Sequence, residues 1–275
     1  MTATTSPIPA PATAAVHRAR HVNLTWTVRD ALAITQRNLI TLMRLPQLLV
    51  FATIQPVVFV LMFRYVFGGA IKIPGVPYVD YLMPGIFAQT VVFGAVSTAV
   101  GLSEDLHKGL IERFRSLPMA RSAVLVGRTT ADLVRDFFVI LLMSAVGFAV
   151  GFRVHTNALA FVAAIGVMLL FGWSLTWIFA MIGLKSRNAE AAQAASFPPL
   201  AIFTFASAAF VPVASMPSWL QPFARNQPVS VTISAVRALV LGGPTLHHVL
   251  ASLAWSFGIV IVCAPLAVRM YRRVT

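Results

Sequence analysis

Residues 104–132 read EDLHKGLIERFRSLPMARSAVLVGRTTAD, a charged block inside a chain that is otherwise mostly hydrocarbon. Apolar runs long enough to cross a bilayer flank it on both sides. Lys108, Arg113, Arg115, Arg121 and Arg128 are concentrated in this one internal loop. In a membrane protein such bases mark a cytoplasmic segment. Glu104, Asp105, Glu112, Ser116 and Ser122 lie among them. The block therefore reads as a surface that meets another protein rather than a plain polybasic lipid anchor.

Composition fixes the class. The chain is 58% hydrophobic and 11% charged, with a mean hydropathy of +0.83. A soluble domain carries about 25% charged residues. Backbone in lipid must satisfy its own hydrogen bonds, so the choice lies between helices and a closed barrel. The period-2 alternation of a barrel is absent. The expected class is an all-α integral membrane protein. The net charge of +13 does not signal nucleic acid, because the bases sit dispersed at the ends of apolar runs, where topology needs them. Cys263 is the single cysteine, so no intrachain disulfide forms.

Residues 1–25 are expected to be a disordered cytoplasmic tail, rich in Pro, Ala and Thr. Residues 27–45 are expected to form an amphipathic interfacial helix. Thr27-x-x-Asp30 resembles a capping box. Val28, Leu32, Leu39, Leu42 and Met43 share one face, and Ile34 and Ile40 break the pattern. Six spans are predicted near 47–67, 84–102, 133–152, 158–184, 193–210 and 246–268, each close to the roughly 20 apolar residues that a crossing needs. Pro56 and Pro198-Pro199 are expected to kink the first and fifth. Residues 211–244 are too proline-broken for a span and too apolar for a free loop. They are predicted as an outer re-entrant hairpin of two short helices, 218–224 and 229–241, the second stopped by Gly242-Gly243.

With the N-terminus inside, 16 Lys and Arg residues are cytoplasmic and 5 are external. The reversed topology inverts that ratio, so both termini are expected in the cytoplasm.

No GxxxxGK[ST] phosphate loop, HExxH or CxxC occurs. Asp132, Arg135 and Asp136 are read as a salt-bridge cluster at the cytoplasmic mouth of the third span. Arg128 and Asp132 are read as an i,i+4 staple. No buried carboxylate or histidine relay is found within the spans, so any transport must be powered from outside the chain. His247 and His248 point about 100° apart on a helix and make a poor metal pair.

The layout and the stretch HKGLIERFRSLPMARSAVLVGRTTADL together resemble the membrane subunit of ABC type 2 exporters, in the daunorubicin/doxorubicin-resistance permease group. Gly109, Glu112-Arg113, Arg115-Ser116-Leu117-Pro118 and Arg121 carry the likeness. The hairpin AAFVPVASMPSWLQPFARNQPVSVTISAVRAL resembles the segment before that family's last helix. The likeness covers the chain from about Arg29 onward.

The resemblance implies a permease without an ATPase site of its own. It implies a second permease, the same or related, and two separate nucleotide-binding ATPase subunits that hold ATP and Mg. No cofactor or metal is expected in this chain. Block 104–130 becomes the coupling loop. Leu106, Leu110, Phe114 and Leu117 form its apolar stripe; Lys108, Glu112, Arg113 and Arg115 project elsewhere; Gly109 and Pro118 complete the motif. The second and fifth spans are implied to line the path, which makes Phe87, Gln89, Phe197, Phe203 and Phe205 candidates. Gln55 joins them because a polar group in an apolar run needs a partner. The expected function is export of hydrophobic compounds, as in drug efflux, from the plasma membrane by alternating access. A lipid or glycan exporter of the same fold is an alternative, followed by a secondary transporter or a non-transporting scaffold.

Overall fold

The computed structural model describes residues 24–44, 46–69, 71, 73, 75–107 and 121–274. All regular structure among them is helical: α1 (Leu24–Arg44), α2 (Pro46–Leu61) continued by a π-helical turn (Met62–Phe67), α3 (Tyr78–His107), α4 (Arg121–Val150), α5 (Ala158–Lys185), α6 (Ala189–Phe205), α7 (Gln221–Asn226), α8 (Pro228–Leu241) and α9 (Thr245–Val274). The helices α3, α4, α5 and α9 are long and apolar enough to cross a membrane. Shorter apolar helices cover Thr53–Phe67 and Pro228–Leu241. Large side chains such as Phe138 on α4 and Ile261 and Val262 on α9 face outward. That pattern suits lipid and is costly in water.

The bundle is built around α3, which packs against α4, α5, α6 and α8. Glycines set the distances. On α5 a Cβ at Gly172 would stand 2.9 Å from Val91 Cβ, and one at Gly183 would run into the Ala99 backbone. Both residue numbers rise together, so α3 and α5 run parallel. On α4 the order reverses: Gly147 meets Met83, Asp136 meets Gly94 and Arg128 meets Gly101, so α4 is antiparallel to α3.

Asparagines start two of the helices. Asn157 Oδ1 accepts from Ala160 N–H and Asn188 Oδ1 from Ala191 N–H, each at 2.7 Å. These bonds satisfy donors that a helix start leaves unpaired. The helix α6 runs unbroken through Pro198-Pro199, and α2 through Pro56. The second hairpin helix ends at Gly242 and Gly243, whose φ values of 94° and 124° favour glycine.

Several expectations change here. The first helix starts at Leu24, so Thr27 lies inside it and cannot cap it. Its bundle-facing side carries Ile34 and Thr35, whose hydroxyl donates to Gly127 O at 3.0 Å, while Leu32 is 61% exposed. Ile34, which broke the apolar stripe, is the residue that docks the helix. Residues 104–107 extend α3 and 121–130 begin α4, so both ends of the charged block are helical.

Candidate functional site

The base of the charged block is clamped by one carboxylate. Asp105, in the last turn of α3, accepts from Arg128 Nη1 at 2.6 Å and stands 3.7 Å from Arg37 Nη2 of α1. Three helices therefore meet where the block leaves the bundle. Leu106 packs against the neighbouring cluster of Leu102, Leu125, Trp177, Leu184 and Tyr271. The remaining coupling candidates, Lys108, Gly109, Leu110, Glu112, Arg113, Phe114, Arg115, Leu117 and Pro118, lie outside the described residues.

The Arg128–Asp132 staple is not formed. Arg128 turns to Asp105 instead, because Gly101 leaves room for its guanidinium. Asp132 accepts from Arg135 Nη1 at 3.0 Å and from Thr98 Oγ1 at 2.7 Å. Nor does the cluster sit at the mouth of the helix. Arg135 is the fifteenth of thirty residues in α4, and Asp132, Arg135 and Asp136 are 8%, 9% and 2% exposed. Arg135 also donates to Asp136 Oδ1 through Nε at 3.2 Å and Nη2 at 3.0 Å, and to Gly94 O at 2.8 Å. The interior of the apolar bundle thus holds a network of ionisable groups that the reading of the spans missed. The sequence carried a signal for it. Gly94 and Gly101 are seven apart on α3, and Arg128 and Arg135 are seven apart on α4, a spacing that returns to one helix face.

At the other end of the bundle the segment after α6 folds back onto α3. Arg237 of α8 donates to Tyr81 O at 3.0 Å and to Ala208 O at 2.6 Å, with its guanidinium 3.5 Å from the centre of the Tyr81 ring. Tyr78 donates to Phe210 O and Gln227 to Ala206 O. Asp80 accepts from the Arg153 N–H at 2.8 Å and contacts His155 Nε2 at 2.8 Å. Backbone that leaves a helix among apolar neighbours is thereby supplied with partners. Phe59, Phe63, Phe205 and Phe210 stack around this turn, with Phe63 and Phe210 centroids 4.5 Å apart. They join α2 to the end of α6.

The path candidates divide into two groups. Phe197 and Phe205 on α6 are 64% and 55% exposed, and Gln55 on α2 is exposed as well. Phe203 is partly buried against the core. Phe87 and Gln89 are both 2% exposed and sit within the bundle, Phe87 edge-on to Phe152. Gln89 finds no hydrogen-bond partner among the described residues for either amide atom.

Comparison with known proteins settles what kind of bundle this is. The ABC-2 type transporter family model matches residues 29–241. The chain belongs to that family. It is similar to the daunorubicin resistance ABC transporter permease protein DrrB1 of Streptomyces coeruleorubidus, at 34% identity over 86% of this chain and 83% of that one. It is similar to the probable doxorubicin resistance ABC transporter permease protein DrrC of Mycobacterium tuberculosis, at 30% identity over 81% of this chain and 80% of that one. A putative transport permease, ycf38 of Cyanophora paradoxa, is 24% identical over 77% of this chain and 74% of that one. As an ABC-2 permease the chain is a membrane transport subunit, which accords with a sequence that lacks a phosphate loop.

Proposed function

We propose that this ABC-2 permease is one half of the membrane pathway of an ATP-driven exporter that removes hydrophobic drug-like compounds across the plasma membrane. The observation that carries the reading is the likeness to resistance permeases over more than four fifths of the chain. In this reading the chain crosses the membrane six times: α2 with its π-helical turn and α6 complete the set begun by α3, α4, α5 and α9. The hairpin at 211–244 is re-entrant from the outside. A second permease, the same or related, packs against the exposed surface of α2 and α6 that carries Gln55, Phe197 and Phe205. Two separate ATPase subunits bind ATP and Mg and dock on the block at 104–130. The clamp of Asp105, Arg128 and Arg37 supports this docking role. It gives a push on the block a stiff connection to α3, α4 and α1.

The test combines recovery of a co-expressed ATPase with drug accumulation in cells. Glu112→Ala, Arg115→Ala and Phe114→Ala are expected to weaken ATPase binding and raise accumulation while membrane insertion stays normal. Truncating one member of a buried interfacial charge pair costs about 2–5 kcal/mol, enough to release a subunit. The loss in the Glu112 and Arg115 variants relative to wild type should depend on salt, shrinking as screening weakens the wild-type pair, and the loss in Phe114→Ala should not. Three variants with full binding and full export would remove the block as the coupling element.

Topology is tested separately. In a Cys263→Ala background, Ser116→Cys is expected to resist an impermeant thiol reagent in intact cells, and Ser218→Cys to react. Labelling at position 116 would reverse the proposed orientation.

A further inference from the structure

The buried network on α4 is out of charge balance. It contains two carboxylates, Asp132 and Asp136, and one guanidinium, Arg135. Fully ionised, it leaves one negative charge near the middle of an apolar bundle. Such a charge is expensive unless it is paired or neutralised. The bonding says where the excess lies. Both oxygens of Asp132 are occupied, Oδ1 by Arg135 and Oδ2 by Thr98. Asp136 Oδ1 takes two bonds from Arg135. Asp136 Oδ2 is buried and accepts none.

Among the described residues the surroundings offer no second counter-ion. The charged groups acting on Asp136 are Arg135 and Asp132 of its own helix. From α3 it faces Gly94, whose carbonyl is taken by Arg135, with Thr98 further along. From α5 it faces Gly172, where a Cβ would lie 3.6 Å from Oδ2. Among the described residues no ionisable side chain of α1, α2 or α9 forms an ion pair with it. Among the described residues no cluster of three metal-ligating side chains lies there either, so a metal cation would lack its oxygen shell. A proton requires only one oxygen.

We propose that Asp136 Oδ2 is a proton-binding site, filled at neutral pH while α3, α4 and α5 are closed around it. One proton converts the carboxylate to a neutral carboxyl and leaves a single ion pair, Arg135 with Asp132. When the seam between these helices admits water, the carboxyl loses that proton to it as hydronium. The closed packing therefore takes up one proton per chain and the wetted packing releases it.

The full chain in lipid nanodiscs, examined by infrared spectroscopy across pH, tests this. With eight Asp and Glu residues in the sequence, a protonated-carboxyl band at neutral pH is assignable by substitution. Wild type should show that band and lose it at alkaline pH. Asp136→Asn should abolish it at every pH above the range in which ordinary carboxyls titrate. Asp132→Asn, which restores charge balance by itself, should abolish it at neutral pH and recover it on acidification. Asp136→Glu, which keeps the titrating group, should shift the band rather than remove it; this variant decides the matter if Asp136→Asn does not fold. No wild-type band at neutral pH, a band that survives in Asp136→Asn, or the opposite pattern between the two asparagine variants would overturn the proposal.

Discussion

Replacing Arg135 with methionine is expected to deplete the folded protein more than any other single substitution in the chain. Methionine keeps most of the side-chain volume and removes the charge. It strips Asp132 and Asp136 of their shared partner and leaves Gly94 O without its donor. Breaking a buried ion pair by removing one member costs about 3–5 kcal/mol, because the surviving charge stays buried. Here two carboxylates survive, and each must acquire a proton to remain in place. The deficit should therefore be greatest at alkaline pH and shrink as the pH falls. Arg135→Lys should lie between wild type and methionine, because an ammonium retains the charge but cannot spread donors over both carboxylates and the carbonyl. Thermal scanning of the detergent-solubilised chain, read as the fraction remaining monodisperse, checks the order. Equal melting of the methionine variant and wild type at alkaline pH would mean that the network does not hold α3 to α4.

Gly183→Ala is expected to do nearly as much damage with a single methyl group. A Cβ there runs into the carbonyl and Cα of Ala99, which are backbone and cannot swing aside. The two parallel helices must separate, and overpacking of this kind costs about 1–3 kcal/mol. The contact lies in the last turn of α5 and towards the end of α3 that leads into the charged block. Export should therefore fall further than protein level does. Gly258→Ala on α9 is the matched control. Nothing lies within 4 Å of its Cβ, so the change should be neutral or gain up to about 1 kcal/mol of helix propensity. Equal export from the two variants, normalised to membrane protein, would show that closeness of α3 and α5 is not required.

The two expectations rest on features with different visibility in the sequence. Glycine in an apolar run is plain to see, but Gly183 and Gly258 look alike. One lies against backbone and the other against open space, and only the packing tells them apart. The charged residues of α4 were visible too. Their depth was misjudged because Asp132, Arg135 and Asp136 follow a basic block, and a base-rich stretch reads as the end of a span. In fact α4 begins at Arg121, so the same residues fall at mid-helix. Local sequence could not decide between Asp105 and Asp132 as the partner of Arg128. The i,i+4 rule favours Asp132, but Gly101 opens a route across to α3 and Thr98 and Arg135 had already engaged Asp132.

Composition and period by themselves determined that the chain is helical and membrane-embedded, because so few charges and so long a series of apolar runs leave no other way to satisfy the backbone. The motif in block 104–132 by itself pointed to the ABC-2 permeases, the family whose model matches residues 29–241. Which face of α1 docks, which carboxylate holds which arginine, and where an uncompensated charge lies were decided only by tertiary structure. Each depends on the register between helices distant in sequence, as when Gly94 comes to lie over Asp136. A hydrophobic pattern constrains that register weakly when the surrounding lipid is as apolar as the helices themselves.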